Sequence, residues 1–296
     1  ATGQVLAEQT EDVVWVGELS LDGQVRGVNG VLAMAALVRE LSRAENREYR
    51  LAVPGENAGE AELLLPGQVW PVRQLVEIVK ILRKECTAGE TGSEDSLLQP
   101  AGDGALELTA LPGGPQAPDL SEVRGHRLAK RALEVAAAGG HHLMLLGPPG
   151  SGKTMLSRCL PSILPALSFD ECLEVTRIYS IAGLLKKGQH LVAERPFRAP
   201  HHTCSAAALV GGGRAARPGE ISLAHGGVLF LDEMLEFSRE ALEALRQPLE
   251  DGVITVSRAG ASHAFPCRFL LVGSMNPCPC GFLGDDRREC NCSPRQ

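Results

Sequence analysis

The sequence predicts an α/β fold: a parallel sheet flanked by helices, preceded by a smaller α/β unit. Three observations carry this expectation. Short apolar runs at Leu143-Met144-Leu145-Leu146, Val228-Leu229-Phe230-Leu231 and Phe269-Leu270-Leu271-Val272 have the length and continuity of strands buried on both faces. Each run ends in residues that bear chemistry, as strands of an open α/β sheet do at their carboxyl edge. The first run also passes through a glycine-rich turn into 155–160, which reads as the start of a helix.

That turn is Gly147-Pro148-Pro149-Gly150-Ser151-Gly152-Lys153-Thr154, which fits G-x-x-x-x-G-K-[ST], the phosphate-binding loop. Glycines let backbone N–H groups turn inward and form an anion cradle. Lys153 can reach the β- and γ-phosphates, and the Thr154 hydroxyl can hold Mg²⁺. After the second run, Asp232 can hold Mg²⁺ directly or through water, and Glu233 can orient and deprotonate an attacking water. After the third, Asn276 can hydrogen-bond the γ-phosphate or that water, or act as a turn residue. These positions predict ATP and Mg²⁺ as ligands.

Composition bounds the rest. The length suggests about two domains. No run reaches the roughly 18 apolar residues of a membrane span, and the first residues do not resemble a signal peptide. The formal net charge of −7 argues against a wholly basic nucleic-acid binder but leaves room for a local basic groove. Nine cysteines, four of them clustered near Gln296, fit a reducing cytosol better than a disulfide scaffold. A cytoplasmic protein with no membrane partner is expected.

Residues 1–85 read as a small α/β unit. Strands are expected at 13–19 and at 51–54, and amphipathic helices at 31–41 and 72–82. The apolar surfaces look too few for a complete domain, so a partial one is expected. Residues 86–118, rich in Gly, Pro, Ser, Thr and acids, read as a flexible linker. The second domain, 119–296, begins at Asp119-Leu120-Ser121-Glu122, which can cap the helix carrying Ala129 to Ala138.

More than 70 residues separate Lys153 from Asp232, leaving room for an insertion. Within it, 195–218 have little helical periodicity and include His201 and His202. This pair can bond backbone carbonyls, touch DNA or hold a metal. Residues 251–265 read as a β-hairpin, with Arg258 the basic residue near a tip that contains Gly260. Cys278, Cys280, Cys290 and Cys292 form C-x-C-x₉-C-x-C, enough for a closed, structural Zn²⁺ site; disulfides are the rival reading. Gly281, Gly284 and Asp285-Asp286 would let the intervening loop fold back.

Together, the three strand ends resemble an AAA+ ATPase, with Asn276 in the sensor 1 position. Four further segments are similar to the magnesium-chelatase-like AAA+ family, within it the competence-protein (ComM/YifB) branch. They are Phe197-Arg198-Ala199-Pro200-His201-His202-Thr203, Gly211-Gly212-Gly213, Pro218-Gly219-Glu220-Ile221-Ser222-Leu223-Ala224-His225 and Asn276-Pro277-Cys278-Pro279-Cys280-Gly281. The resemblance implies a helix-2 insert around 195–218 and a pre-sensor-1 hairpin at 251–265. It implies that Glu122-Val123-Arg124-Gly125-His126 flanks the adenine. It also implies that 1–85 is the second half of a Lon-protease-like domain, on Gly17-Glu18-Leu19-Ser20-Leu21-Asp22-Gly23 and Val53-Pro54-Gly55-Glu56-Asn57. The Ser-bearing half is absent and Leu32 falls near the position of the Lys, so no peptidase activity is expected.

The function this implies is a ring-forming, ATP-dependent DNA motor of helicase or branch-migration type, homo-hexameric in the full-length protein. Single-stranded or branched DNA would thread past Arg258. In natural transformation, such a motor would process recombination intermediates. Two alternatives stand beside it: a chelatase- or MoxR-type ATPase that remodels a protein partner, and a nucleotide-binding assembly platform without turnover. The helical lid, sensor 2 Arg and arginine finger are expected outside this stretch, so weak nucleotide binding and slow hydrolysis are expected of it alone.

Overall fold

The computed structural model describes residues 10–83, 117–186, 188–213, 216–258, 261–284 and 288–293. The chain divides into two units: residues 1–109 with 176–192, and residues 110–175 with 193–296. The sequence reading placed 176–192 in the second domain, whereas its contacts group it with the first unit. Of the linker 86–118, only 117 and 118 lie among the described residues.

The first unit is built on a parallel three-stranded sheet. Its elements are β1 (Val13–Trp15), β2 (Glu18–Leu19), β3 (Val25–Arg26), α1 (Val31–Glu45), β4 (Arg50–Pro54), α2 (Ala58–Glu62), β5 (Val69–Val72) and α3 (Leu75–Leu82). The sheet order is β1-β4-β5, and β2 pairs antiparallel with β3. The expected single strand at 13–19 is two strands, broken at Gly17, whose φ is 155°. The expected helix at 72–82 is also corrected. Val72 closes β5, and the helix starts at Leu75, where the Glu77 carboxylate accepts the N–H groups of Arg73 and Gln74. The reciprocal cap between Gln74 and Glu77 explains the difference, because it fixes the helix start at Leu75. Leu32 lies fully buried on α1 with Val31 and Ala35.

A buried polar knot ties 176–192 to this unit. Ser180 donates its hydroxyl to Glu60 Oε2 at 2.9 Å, and Asn57 donates to Glu60 Oε1 at 2.8 Å. The Gly30 N–H donates to Ser180 Oγ at 3.0 Å. Glu60 is 4% exposed, so these donors replace water around its carboxylate.

The second unit begins with a 3₁₀ turn, Leu120–Glu122, capped by Asp119 through the Ser121 N–H. Asp119 therefore does not cap the following helix, as had been expected. Gly125 and His126 adopt left-handed backbone (φ 73° and 50°), and α4 (Arg127–Gly139) starts only after them. There follow β6 (Leu143–Leu146), α5 (Lys153–Arg158), α6 (Leu160–Ile163), α7 (Phe169–Ala182, of which 176–182 group with the first unit), β7 (Phe197–Arg198), α8 (Ala206–Val210), β8 (Gly211–Gly212), β9 (Arg217–Pro218) and α9 (Glu220–Leu223). The unit continues through β10 (Val228–Leu231), α10 (Arg239–Glu243), α11 (Arg246–Asp251), β11 (Val253–Arg258), β12 (Ala261–Pro266) and β13 (Leu270–Met275).

Its main sheet runs β6-β13-β10-β7, with every pair parallel. The carboxyl ends of β6, β10 and β13 therefore meet at one edge. All four residues of β10 are buried, as expected for a strand covered on both faces. On one face, Val228, Phe230, Leu270 and Val272 pack with Leu133, Leu156 and Leu160 in one core cluster. The β11–β12 hairpin interrupts the chain between β10 and β13, in register from Val253↔Pro266 to Arg258↔Ala261.

Candidate nucleotide-binding site

The loop between β6 and α5 is anchored at its start by the Gly147 N–H, which donates to Met275 O on the neighbouring strand. Gly152 takes φ 80° to turn the chain into α5, a conformation that a side chain would strain. Lys153 Nζ donates to Gly147 O (2.7 Å), Pro148 O (3.0 Å) and Asn276 Oδ1 (3.1 Å). The ammonium thus sits over the loop, backed by the residue at the end of β13. Ser151 Oγ is buried without a hydrogen-bond partner among the described residues. A phosphate oxygen has the right chemistry to satisfy it.

Asp232 follows β10 directly. Its Oδ2 accepts the Thr154 hydroxyl at 2.9 Å, and its Oδ1 accepts the hydroxyl of Ser274. Ser274 is fully buried, and its Oγ also accepts the Glu233 N–H at 3.2 Å. The sequence reading missed Ser274. In sequence it is one polar residue inside an apolar strand. Its role follows from the pairing of Leu231 with Gly273, which sets Ser274 level with Asp232.

Glu233 has left-handed backbone (φ 52°, ψ 49°), costing about 1–3 kcal/mol for a non-glycine residue. Its half-exposed carboxylate stands 3.6 Å from His202 Nδ1, within ion-pair range. For His202 the sequence left backbone, DNA and metal contacts open; the structure places it beside Glu233. His201 stacks on it with ring centroids 4.1 Å apart and engages Thr203 through Nδ1. The two His are not part of a metal-ligating group among the described residues.

Val123 is buried in the core with Leu120 and Leu133. His126, three residues on, reaches the loop: a Cβ added to Gly152 would lie 3.7 Å from His126 Nε2. Arg258 ends β11; its side chain and Gly260 lie outside the described residues. Arg198 clamps Glu220 with two hydrogen bonds of 2.7 Å, linking β7 to α9. His225 Nδ1 accepts the Arg268 N–H, so Nε2 is the donor to Glu174. His225 thus ties together the amino ends of β10 and β13, the edge opposite the site.

The cysteines at the end of β13 converge. The Sγ atoms of Cys278, Cys280, Cys290 and Cys292 all lie within 4.8 Å of one another. Backbone hydrogen bonding at Phe282, then the Cys278 thiol, holds the Cys280 thiol down to about 6. Asp285 and Asp286 lie outside the described residues.

The family model for magnesium chelatase, subunit ChlI, matches residues 119–296. The chain belongs to this family of AAA+ ATPases. Among its relatives are Rv2897c of Mycobacterium tuberculosis (48% identical over 97% of this chain), competence protein ComM of Haemophilus influenzae (42% over 100%) and YifB of Escherichia coli (40% over 100%). The chain spans about half the length of each: 53%, 54% and 54% respectively. Among the described residues, no helix is long and apolar enough to cross a membrane.

Proposed function

We propose that this chain binds and hydrolyses ATP as the motor portion of a ring-forming protein that acts on single-stranded or branched DNA. The observation that carries the ATPase reading is the meeting of Lys153, Thr154, Asp232 and Asn276 within direct hydrogen bonds at one sheet edge. Lys153 exchanges its loop carbonyls for the β- and γ-phosphates of bound ATP. The Thr154 hydroxyl and Asp232 carboxylate are hard oxygen donors that suit Mg²⁺, which would neutralise charge on those phosphates. Glu233 takes the proton of the attacking water, and Asn276 orients the γ-phosphate. Structural Zn²⁺ on Cys278, Cys280, Cys290 and Cys292 completes the cofactors of this reading.

The DNA reading rests on two supports: the β11–β12 hairpin between the two catalytic strands, and the likeness to a protein named for competence. In a hexamer, one Arg258 per subunit would ring a pore and hold phosphates despite the chain's net charge of −7. The test is binding to forked and single-stranded DNA over a salt series. The expected result is affinity that falls steeply with salt and is lost in Arg258→Glu, with nucleotide binding unchanged. DNA-independent turnover with no salt-sensitive DNA binding would favour a protein substrate instead.

A further inference from the structure

The cysteine cluster lies directly against the nucleotide loop. Three sulfur–sulfur distances are 3.3 Å (Cys278–Cys280), 3.6 Å (Cys278–Cys290) and 3.6 Å (Cys280–Cys290). A tetrahedral Zn²⁺ with Zn–S bonds of about 2.3 Å has sulfurs about 3.8 Å apart, whereas a disulfide needs about 2.0 Å. The Cys280 N–H donates to Cys292 Sγ at 3.4 Å, a backbone contact that orients this sulfur toward the cluster. Four sulfur ligands close the coordination shell, so the site is structural rather than hydrolytic.

Two connections lead from this cluster to the phosphate loop. Asn276, two residues before Cys278, accepts from Lys153 Nζ. Gly281, in the turn closed by its own N–H to Cys278 O at 2.8 Å, packs on Pro149. A Cβ on Gly281 would stand 2.6 Å from Pro149 Cδ and 2.8 Å from Cγ, and its φ of 83° further excludes other residues. The turn that carries the first two cysteines is therefore one wall of the nucleotide loop.

We infer that Zn²⁺ on these four thiolates braces the phosphate loop, so that metal occupancy and nucleotide affinity are coupled. The inference rests on the nucleotide reading of that loop and extends it to its control. With metal bound, the 278–281 turn has one shape, and Pro149 and Asn276 are held where Lys153 needs them. Without metal, the turn relaxes and the loop loses that wall. By linkage, bound nucleotide must tighten zinc by the same factor.

The test uses the purified chain. Elemental analysis is expected to give one zinc per chain, and cobalt substitution the visible ligand-field bands of a tetrahedral thiolate site. A zinc-selective chelator that spares Mg²⁺ should weaken binding of a fluorescent ATP analogue about tenfold, restored by adding zinc back. ATP should make zinc correspondingly harder to extract. Gly281→Val should keep its metal and still weaken the nucleotide, while Cys290→Ser should lose both. Mass spectrometry showing disulfides, or a chain without stoichiometric metal, overturns the site. Affinity unchanged through removal and restoration overturns the bracing alone. A zinc-loaded chain that binds no nucleotide overturns the nucleotide reading and the bracing with it.

Discussion

Thr154 and Asp232 are 78 positions apart in sequence, yet the threonine hydroxyl donates to the aspartate at 2.9 Å. One lies in the first turn of α5 and the other just past β10. The parallel order β6-β13-β10 brings them to the same edge, with β13 supplying Ser274 and Asn276 between them. That convergence is the physical basis for reading the edge as a triphosphate site.

Asp232→Ala should abolish the benefit of Mg²⁺ to nucleotide binding while leaving metal-free binding near the wild-type level. Titrating a fluorescent ATP analogue with and without Mg²⁺ measures this. An unchanged Mg²⁺ effect would remove Asp232 from the site.

Glu233→Gln keeps the size of the side chain and removes its basicity. Turnover should fall by about 10²–10⁴-fold, the usual contribution of a general base, with nucleotide affinity retained. Single-turnover phosphate release is the measurement. A loss of binding in step with turnover would make Glu233 a structural residue.

His202→Ala tests a contact that the sequence alone did not reveal. Because the imidazole faces Glu233 at 3.6 Å, the variant should change turnover and leave salt-dependent DNA binding intact. The reverse pattern would favour the DNA-contact alternative for His202.

Ser180→Ala takes a donor from the buried Glu60 carboxylate and an acceptor from the Gly30 N–H. Leaving such groups unpaired should destabilise the fold by about 1–3 kcal/mol. Urea unfolding should show this as a lower midpoint, with nucleotide affinity unchanged. A midpoint equal to wild type would mean that the knot contributes nothing.

Much of the site was legible because its residues sit at strand ends with fixed neighbours in sequence. The glycine loop announces itself, and the carboxylates and Asn276 follow apolar runs long enough to be buried strands. Ser274 was not legible, since strand register, not local sequence, makes it a partner of Asp232. The contact of His202 with Glu233 was not legible, because a long irregular segment carries no period from which to aim a side chain. In the first unit, Val72 was read as helical: the apolar spacing of 75–82 continues back through it, and only the Glu77 cap marks the true start. Asp119 was read as a helix cap because two consecutive left-handed residues, Gly125 and His126, cannot be seen in a propensity pattern.

The most direct measurement is an equilibrium titration of ATP with Mg²⁺ into the wild-type chain and Lys153→Ala. Saturable binding by the wild type, weakened at least about tenfold by loss of the charge-assisted phosphate contacts, is the expected result. Equal affinity in the two proteins, or no saturable binding by the wild type, would contradict a shared triphosphate site at this sheet edge.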